Sequence, residues 1–444
     1  MQKNNIYLLE FNSGKLIIFF RIVNQQIMLK EKLMNKELRM IADNIINETI
    51  KKVLPDEAVR KTLDNIEFEG KVILVSVGKA AWQMAKAASD CLGERINNGI
   101  VITKYGHVKA PIKNIECFEA GHPVPDENSF IATQKVIDMV GNLSEGDTVL
   151  FLLSGGGSAL FEKPQITGKE LQDITNQLLA CGADIVEINT IRKRLSEIKG
   201  GRFAKMCEPA QVVSIVLSDI LGDPLDMIAS GPACADLSTC EEARYIVDKY
   251  NIKLSEDARK LMDIETPKQL NNVTTYINGS VRELCKVVAS ECLKYGYQPV
   301  ILTDQLCCEA KEAGSFLASI AKTYYKTDKK LAYIAGGETI VNITGHGKGG
   351  RNQEIALSAA DGIKDMPDVA VFSIGSDGTD GPTDAAGGYC DGDTANVLKN
   401  NGIDIFDVLK NNDAYNALRL TDGLIITGPT GTNVNDVSVL LIGV

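Results

Sequence analysis

Residues 148–158 read TVLFLLSGGGS, an apolar run that ends in three glycines flanked by serines. An uninterrupted apolar run of this length is typical of a strand buried on both faces, as in parallel sheets covered by helices. Runs of the same kind occur at 72–77 (VILVSV), 99–102 (GIVI) and 211–217 (QVVSIVL). Amphipathic stretches separate them. The pattern therefore predicts an α/β fold with a parallel sheet.

A second series of strands and helices follows a charged, strand-free region at 236–272. We predict two α/β domains, 37–271 and 272–444, and treat residues 1–36 as an N-terminal extension outside the fold. The strands predicted for the second domain are 274–277, 298–302, 331–335, 339–343, 369–374, 424–427 and 437–442.

Composition excludes several classes of function. The chain has 444 residues, of which 44% are hydrophobic, and a net charge of −11, which disfavours binding to nucleic acid or to an anionic membrane. No apolar run approaches the roughly 20 residues of a membrane span. The eleven cysteines form no CxxC pair and indicate reduced thiols in a cytoplasmic protein. Three histidines are too few for a histidine-rich metal site.

The residues with chemical potential follow the predicted strands. In open parallel sheets, ligands bind at the carboxyl ends of the strands. Lys79 follows the strand at 72–77 and would meet an anion at a helix N-terminus, unless it is only a surface lysine at a helix start. The glycine loop, Ser154, Gly155, Gly156, Gly157 and Ser158, would surround an oxyanion with backbone N–H groups unless it is only a turn.

Two further segments carry clustered charge. Residues 187–202 contain Arg192 and other basic residues that suit phosphate or carboxylate recognition, or else form a solvated face. Asp219, Asp223 and Asp226 follow the strand at 211–217. Asp377, Asp380 and Asp384 follow the strand at 369–374. Either acidic group would hold Mg²⁺ through oxygen ligands, or would serve as turn and capping residues.

Residues 345–351 (GHGKGGR) contain a literal G-x-G-x-x-G. In a dinucleotide-binding fold an acidic residue follows about 20 residues later. Here Asp377 lies 27 residues after Gly350, and Lys348 and Arg351 make the loop basic. The segment therefore fits a polyphosphate at least as well as a dinucleotide. Residues 427–436 (TGPTGTNVND) would surround a small polyhydroxy ligand or form a structural turn.

Taken in order, these segments resemble the two-domain glycerate kinases, which have a glycerate kinase N-terminal domain followed by a MOFRL domain. The matching stretches span about 70–444; they include 77–80 (VGKA), 121–126 (GHPVPD), 153–160 (LSGGGSAL), 347–354 and 377–386. The resemblance implies ATP-dependent phosphorylation of D-glycerate, with 2-phosphoglycerate as the product. It also implies two α/β/α sandwiches, a Rossmann-like, mainly parallel one and a MOFRL-type mixed one, with the active site in the interdomain cleft.

Carried over by position, the resemblance nominates Lys79 and Arg351 as catalytic residues. We expect the glycine loop and Arg192 to bind the glycerate carboxylate, and Asp219 and Asp377 to hold Mg²⁺. Glu338 and Asp219 are candidate bases for the substrate hydroxyl. The expected nucleotide-binding residues are Gly347, Lys348, Gly349, Gly350, Asn352 and Glu338.

Two other functions stay open at this point. An NAD(P)-dependent hydroxypyruvate reductase would use the G-x-G-x-x-G, and a non-catalytic sensor would bind a small acid without turnover. The residues alone do not distinguish phosphorylation at C2 from C3. A homodimer is one candidate assembly.

Overall fold

The computed structural model describes residues 35–443 and contains two six-stranded sheets. In the first sheet every strand is parallel to its neighbours, and the strand order is β3-β2-β1-β4-β5-β6. Its strands are β1 (Val72–Val77), β2 (Ile96–Lys104), β3 (Ile115–Ala120), β4 (Thr148–Leu153), β5 (Gln211–Leu217) and β6 (Val273–Gly279).

Helices precede and connect these strands. Helix α1 runs through 35–52. The others are α2 (Pro55–Leu63), α3 (Ala81–Leu92), α4 (Glu127–Val140), α5 (Gly157–Leu160), α6 (Gly168–Ala180), α7 (Ile185–Leu195), α8 (Arg202–Met206), α9 (Cys240–Lys249) and α10 (Glu256–Leu261). Short 3₁₀ turns lie at Gly93–Arg95 and Ile228–Ser230.

The second sheet is mixed, with the order β11-β10-β9-β12-β8-β7. Only β7 and β8 are parallel, and β12 runs antiparallel to both of its neighbours. Its strands are β7 (Gln298–Leu306), β8 (Leu331–Gly337), β9 (Val369–Gly375), β10 (Gly387–Asp391), β11 (Leu424–Ile425) and β12 (Asp436–Ile442). Its helices are α11 (Val281–Lys294), α12 (Ala310–Tyr324), α13 (Arg351–Gly362), α14 (Thr394–Asn400), α15 (Ile405–Lys410) and α16 (Ala414–Leu420).

Alternating side chains of each strand build a core on each face of the sheet. In β1, Ile73 and Val75 pack into one cluster with Phe151, whereas Leu74 packs into the other with Met84 of α3. This two-residue alternation is what a covered parallel strand requires. Because β1, β4 and β5 run parallel to one another, their carboxyl ends lie at the same edge of the sheet.

The α/β fold with one parallel and one mixed sheet is confirmed, but the chain divides differently from the predicted boundary at 271/272. Strand β6 pairs with β5 in the first sheet, although the prediction gave it to the second domain. Helix α1 packs its Leu38 and Ile45 on the second sheet, against Val439. Amphipathic periodicity shows that a face is buried, but it does not show against which sheet.

Two smaller predictions also differ. The strand expected at 339–343 is an extended segment with a single bridge from Ile340 to Glu309. The predicted extension 1–36 lies outside the described residues except for Asn35 and Lys36, which are helical. All eleven cysteines are free thiols, as expected. Within 35–443, no helix has both the length and the apolar composition needed to cross a membrane.

Candidate active site

Lys79 lies where β1 turns into α3. Its backbone N–H donates to the Gly155 carbonyl (2.9 Å), which ties the end of β1 to the loop after β4. The side chain is exposed, and no other side chain within 35–443 forms an ion pair or hydrogen bond with its ammonium group. An unneutralised cation at the carboxyl edge of the sheet is available to an anionic ligand.

The glycine loop packs closely around Lys79. Gly156 has φ +88°, and a Cβ there would lie 2.9 Å from Cδ2 of His122 and 3.3 Å from Cγ of Lys79. A Cβ at Gly155 would clash with the Asp219 carboxylate. The absence of side chains in this loop therefore lets Lys79, His122 and Asp219 approach one another.

The Ser154 hydroxyl is used within the protein. It accepts from the Ala80 N–H (3.1 Å) and donates to the Val77 carbonyl (3.3 Å), so it fastens the loop to the start of α3. Ser158 presents its carbonyl to Arg192 and Lys199, each at 3.0 Å. The loop predicted to bind substrate is thus held in place from both of its ends.

A cleft of about 430 Å³ opens beside this loop and is lined from both sheets. The first sheet contributes Lys79, Ser154, Gly155 and Asp219, and the segment around the second sheet contributes Asp377. The remaining lining residues are Pro55, Ala80, Trp82, Gln83, Gly106, His107, Lys109, Leu217, Gly431, Thr432 and Asn433. The structure therefore brings Lys79 and both predicted metal ligands, Asp219 and Asp377, to one cavity between the two halves of the chain.

The loop at 427–433 is anchored to the segment that carries Asp377. Oγ1 of Thr430 donates to the Ser376 carbonyl (2.6 Å), and its N–H donates to the Asp377 carbonyl (3.2 Å). One carboxylate oxygen of Asp377 accepts from the N–H and hydroxyl of Thr379, at 2.9 and 3.0 Å. Two residues of this stretch, Thr432 and Asn433, line the cleft, while Thr430 serves the structure of the loop.

Arg351 begins α13 and is held by two carboxylates. Its Nε lies 2.5 Å from Oδ2 of Asp436, its Nη2 3.1 Å from Oδ1 of Asp436, and its Nη1 2.8 Å from Oε1 of Glu338. Burial raises the pKa of Asp436 to about 6, against the lowering effect of the Arg351 hydrogen bonds. Arg351 does not line the cleft, but a Cβ at Gly375 would lie 3.4 Å from carboxylate oxygens of both Asp436 and Asp377. Arg351 is therefore held by a carboxylate, Asp436, that lies near Asp377 of the cleft lining.

The G-x-G-x-x-G segment does not line the cleft. It packs within the second domain, mainly on residues 411–413. The Gly347 N–H donates to the Asn411 carbonyl (2.8 Å), and a Cβ at Gly347 would clash with Asp413. Gly349 lies beside Asn412 and Gly350 beside Asp380, and the Lys348 ammonium sits 4.0 Å from the centre of the Tyr415 ring. Close packing of the chain on itself accounts for these glycines.

Asn352 is buried and its side chain is fully engaged. Its amide oxygen accepts from the Ser373 hydroxyl (2.5 Å), and its N–H groups face Asp380. Asp380 accepts the N–H groups of Asn352 and Gln353 and so caps α13, which corrects the idea of an acidic metal cluster at 377–384. Asp384 accepts from the Tyr415 hydroxyl (2.7 Å). Of these three aspartates, only Asp377 reaches the cleft.

The basic segment at 192–199 forms a buried network and not a solvated face. Lys193 lies 3.0 Å from Asp236 and 3.2 Å from Asp226. Lys199 contacts Glu162 (3.5 Å), and burial lowers the pKa of Lys199 to about 8. Arg192 donates to the Ser158 carbonyl and does not line the cleft. The structure thus places Arg192 behind the glycine loop.

Sequence reasoning assigned no role to several residues of the site. Trp82, Gln83, His107 and Lys109 line the cleft, and the His122 ring packs on Gly156. Burial, helped by the charges of Lys79 and Lys104, lowers the pKa of His122. His107 follows β2 and His122 follows β3, two strands of the same parallel sheet. Their place after the carboxyl ends of these strands could have identified both histidines as candidate site residues.

Two family models match this chain, one in each half. The family model described as "Domain of unknown function (DUF4147)" matches residues 41–263, and that of the MOFRL family matches 331–436. The D-glycerate 2-kinase of Thermotoga maritima is 52% identical over 92% of this chain and 99% of its own length. A putative hydroxypyruvate reductase of Agrobacterium vitis is 38% identical over 84% of this chain and 100% of its own.

A solved structure agrees with these relatives. The crystal structure of glycerate kinase from Thermotoga maritima superposes with a TM-score of 0.87 and 52% identity, covering 92% of this chain and 100% of that one. Identity of this level over nearly complete lengths, together with the two matched domains, decides the family. The chain belongs to the glycerate kinase family with an N-terminal DUF4147 domain and a C-terminal MOFRL domain.

Proposed function

We propose that this protein transfers the terminal phosphoryl group of ATP to the C2 hydroxyl of D-glycerate, giving 2-phosphoglycerate and ADP. The observation that carries the proposal is the cleft that Lys79, Asp219 and Asp377 line together, from the two halves of the chain. The family supports the same reaction, since the relative with 52% identity is a D-glycerate 2-kinase.

Phosphoryl transfer needs positioning and neutralisation of charge more than covalent chemistry from the protein. The glycerate oxygen attacks phosphorus as the bond to the ADP oxygen breaks, and the hydroxyl proton passes to Asp219, the candidate base in the cleft. Lys79 would neutralise the transferring oxygens. The backbone of the glycine loop would orient the glycerate carboxylate beside it.

Of the two carboxylates considered as bases, only Asp219 lines the cleft, whereas Glu338 is bound to Arg351. Arg351 is held by Asp436, which lies near Asp377, and does not line the cleft. We propose that it approaches the phosphates when the two halves of the cleft move together. Arg192 would act through the carbonyl of Ser158.

The residues present fit a magnesium ion bound together with nucleotide. Mg²⁺ is commonly held by one or two carboxylates, with phosphate oxygens and water completing its shell. Asp219 and Asp377 supply two carboxylates in one cleft, and no other side chain within 35–443 forms a hydrogen bond or ion pair with Asp219. No group of three or more His, Cys, Asp or Glu residues that could hold a metal ion by themselves occurs in that range. When bound, Mg²⁺ would withdraw charge from the phosphate oxygens.

A reductase is the second candidate, because two relatives carry the name putative hydroxypyruvate reductase. The packing of the G-x-G-x-x-G segment argues against it. That segment follows β8 only after an extended stretch and lies on 411–413, and β8 is paired with the antiparallel β12. A dinucleotide fingerprint instead joins a strand directly to a helix within a parallel βαβ unit.

Phosphorus NMR of the product from ATP and D-glycerate tests the proposal. A phosphate ester at C2 couples to one proton and gives a doublet, whereas an ester at C3 couples to two and gives a triplet. We expect a doublet that grows as ATP is consumed. Oxidation of NADH by hydroxypyruvate without any phosphate ester would reject the kinase in favour of the reductase.

A further inference from the structure

The cleft has a second set of lining residues that the proposed reaction does not use. Trp82 and Gln83 lie in the first turn of α3, three and four residues after Lys79, and Lys109 lies in the loop after β2. Trp82 is the only tryptophan of the chain. An indole and an amide beside a phosphate-binding cation suit the base of a nucleotide.

The indole of Trp82 is held in one orientation. Its Nε1 donates to the Ala110 carbonyl (2.8 Å), and the Lys109 ammonium lies 5.6 Å from the ring centre. The side chain is half-buried and lines the cleft. A ring that is already fixed loses little conformational freedom when a flat ligand stacks on it.

Gln83 presents a defined acceptor to the same cleft. Its Nε2 lies 2.7 Å from Oδ1 of Asp56, and an ionised carboxylate accepts hydrogen bonds without donating them. This contact fixes the amide orientation and directs Oε1 away from Asp56. Oε1 lies 3.5 Å from the position that a Cβ would take at Gly431, another residue of the cleft. A ligand group at that point has to be a hydrogen-bond donor.

We propose that Trp82 stacks on the purine base of the phosphoryl donor and that Gln83 Oε1 accepts from its exocyclic amino group. The inference rests on the proposed kinase function and deepens it, because it assigns the base to the first domain, beside Lys79. A 6-amino purine satisfies Gln83, whereas a 6-oxo purine turns an acceptor toward Oε1. The structure thereby predicts preference for ATP over ITP.

Fluorescence of the single tryptophan reads out this site without any variant. ADP with Mg²⁺, titrated into the full chain with excitation at the red edge of the indole band, should change the emission saturably. D-glycerate alone should leave it unchanged. Emission that responds to D-glycerate but not to ADP would overturn the assignment.

Variants give the second measurement. Trp82→Ala should raise KM for ATP roughly tenfold and leave KM for D-glycerate unchanged, because stacking on an aromatic ring contributes to base binding alone. Trp82→Phe should retain most of the affinity. Phe316→Ala, which removes an exposed ring of α12 outside the cleft, is the matched control and should change neither constant. Unchanged KM for ATP in folded Trp82→Ala would reject the stacking role.

Gln83→Met tests the amino-group contact. The ratio of kcat/KM for ATP to that for ITP should fall toward one, and an unaltered ratio would reject this contact. Failure of the two proposals is distinguishable. ADP-dependent emission in a protein that does not phosphorylate D-glycerate would reject the kinase and keep the base site. Full kinase activity without any ADP-dependent change in emission would keep the kinase and reject the base site.

Discussion

The Arg351 guanidinium donates a hydrogen bond to each carboxylate oxygen of Asp436, from Nε to Oδ2 (2.5 Å) and from Nη2 to Oδ1 (3.1 Å). This two-point contact fixes the plane of the guanidinium, and Glu338 holds the remaining nitrogen at 2.8 Å. Asp436 starts β12 between β8 and β9, so its position is set by strand pairing on both sides. An arginine held in this way is oriented before any substrate binds.

Arg351→Lys should lower kcat by roughly 10²–10³-fold, because a single ammonium cannot hold both oxygens of Asp436 and still present a donor to phosphate. Steady-state kinetics and a thermal melt are the measurements. Arg39→Lys alters another arginine that pairs with an aspartate (Asp43, 2.9 Å) but does not line the cleft, and should keep normal turnover. Wild-type kcat in Arg351→Lys would contradict the assigned role.

The stability difference between the wild type and Asp436→Asn should depend on pH. Burial raises the pKa of Asp436 from 3.8 to about 6, so between these values the folded protein binds more protons than the unfolded chain. Stability from this group is therefore greatest below about pH 4 and falls as pH rises through about 6. Asp436→Asn removes that dependence. Chemical unfolding of both proteins from pH 4 to pH 7 checks this dependence. The free energy of unfolding of the wild type minus that of Asp436→Asn should decrease as pH rises, and a value that stays constant or increases would contradict the raised pKa.

Much of the fold could be predicted because buried parallel strands leave a strong local signal. The limits of β1, β4 and β5 coincide with the apolar runs at 72–77, 148–153 and 211–217. Strands β3 and β10 were missed. β3 (IECFEA) carries two glutamates at the edge of its sheet, and β10 (GGYCD) begins with two glycines, so neither forms an apolar run.

The candidate site was predictable where residues follow strands, and less so where several charges of one kind occur together. Lys79, Asp219 and Asp377 each follow a strand and meet in one cleft. Lys193 and Lys199 have the same side-chain type but are buried with Asp236 and Glu162. Those carboxylates are distant in sequence, so the composition of the basic segment alone did not reveal the pairing.

Lys79→Ala should reduce kcat by several orders of magnitude with little effect on the melting temperature. The ammonium group is exposed and forms no ion pair with the rest of 35–443, so its removal leaves no buried charge behind. Lys86→Ala is the control, since Lys86 belongs to the same helix but pairs with Asp90 on the surface (2.5 Å). Near-normal turnover in Lys79→Ala would exclude a role for this lysine in phosphoryl transfer.

Lys193→Met, unlike Lys79→Ala, should lower stability and leave kcat nearly unchanged. Its removal leaves Asp236, 1% exposed, without its partner, and breaking such a buried pair costs about 3–5 kcal/mol. The melting temperature should fall clearly, whereas kcat per folded molecule should stay close to that of the wild type. A large loss of kcat in protein that melts normally would instead place Lys193 in the site.

Gly156→Ala should reduce activity more than stability, and Gly182→Ala separates the two effects. Both glycines have positive φ, +88° and +75°, so each alanine incurs a similar backbone penalty of about 1 kcal/mol. A Cβ at Gly156 would meet the His122 ring at 2.9 Å and Lys79 Cγ at 3.3 Å, whereas a Cβ at Gly182 meets nothing within 4 Å. Only Gly156→Ala therefore displaces Lys79 and His122. The melting temperature should fall in both variants, and further in Gly156→Ala because its neighbours must shift. Only Gly156→Ala should lose kcat/KM per folded molecule, at least tenfold. Equal kinetics in the two variants would mean that close packing of the glycine loop on Lys79 does not matter for catalysis.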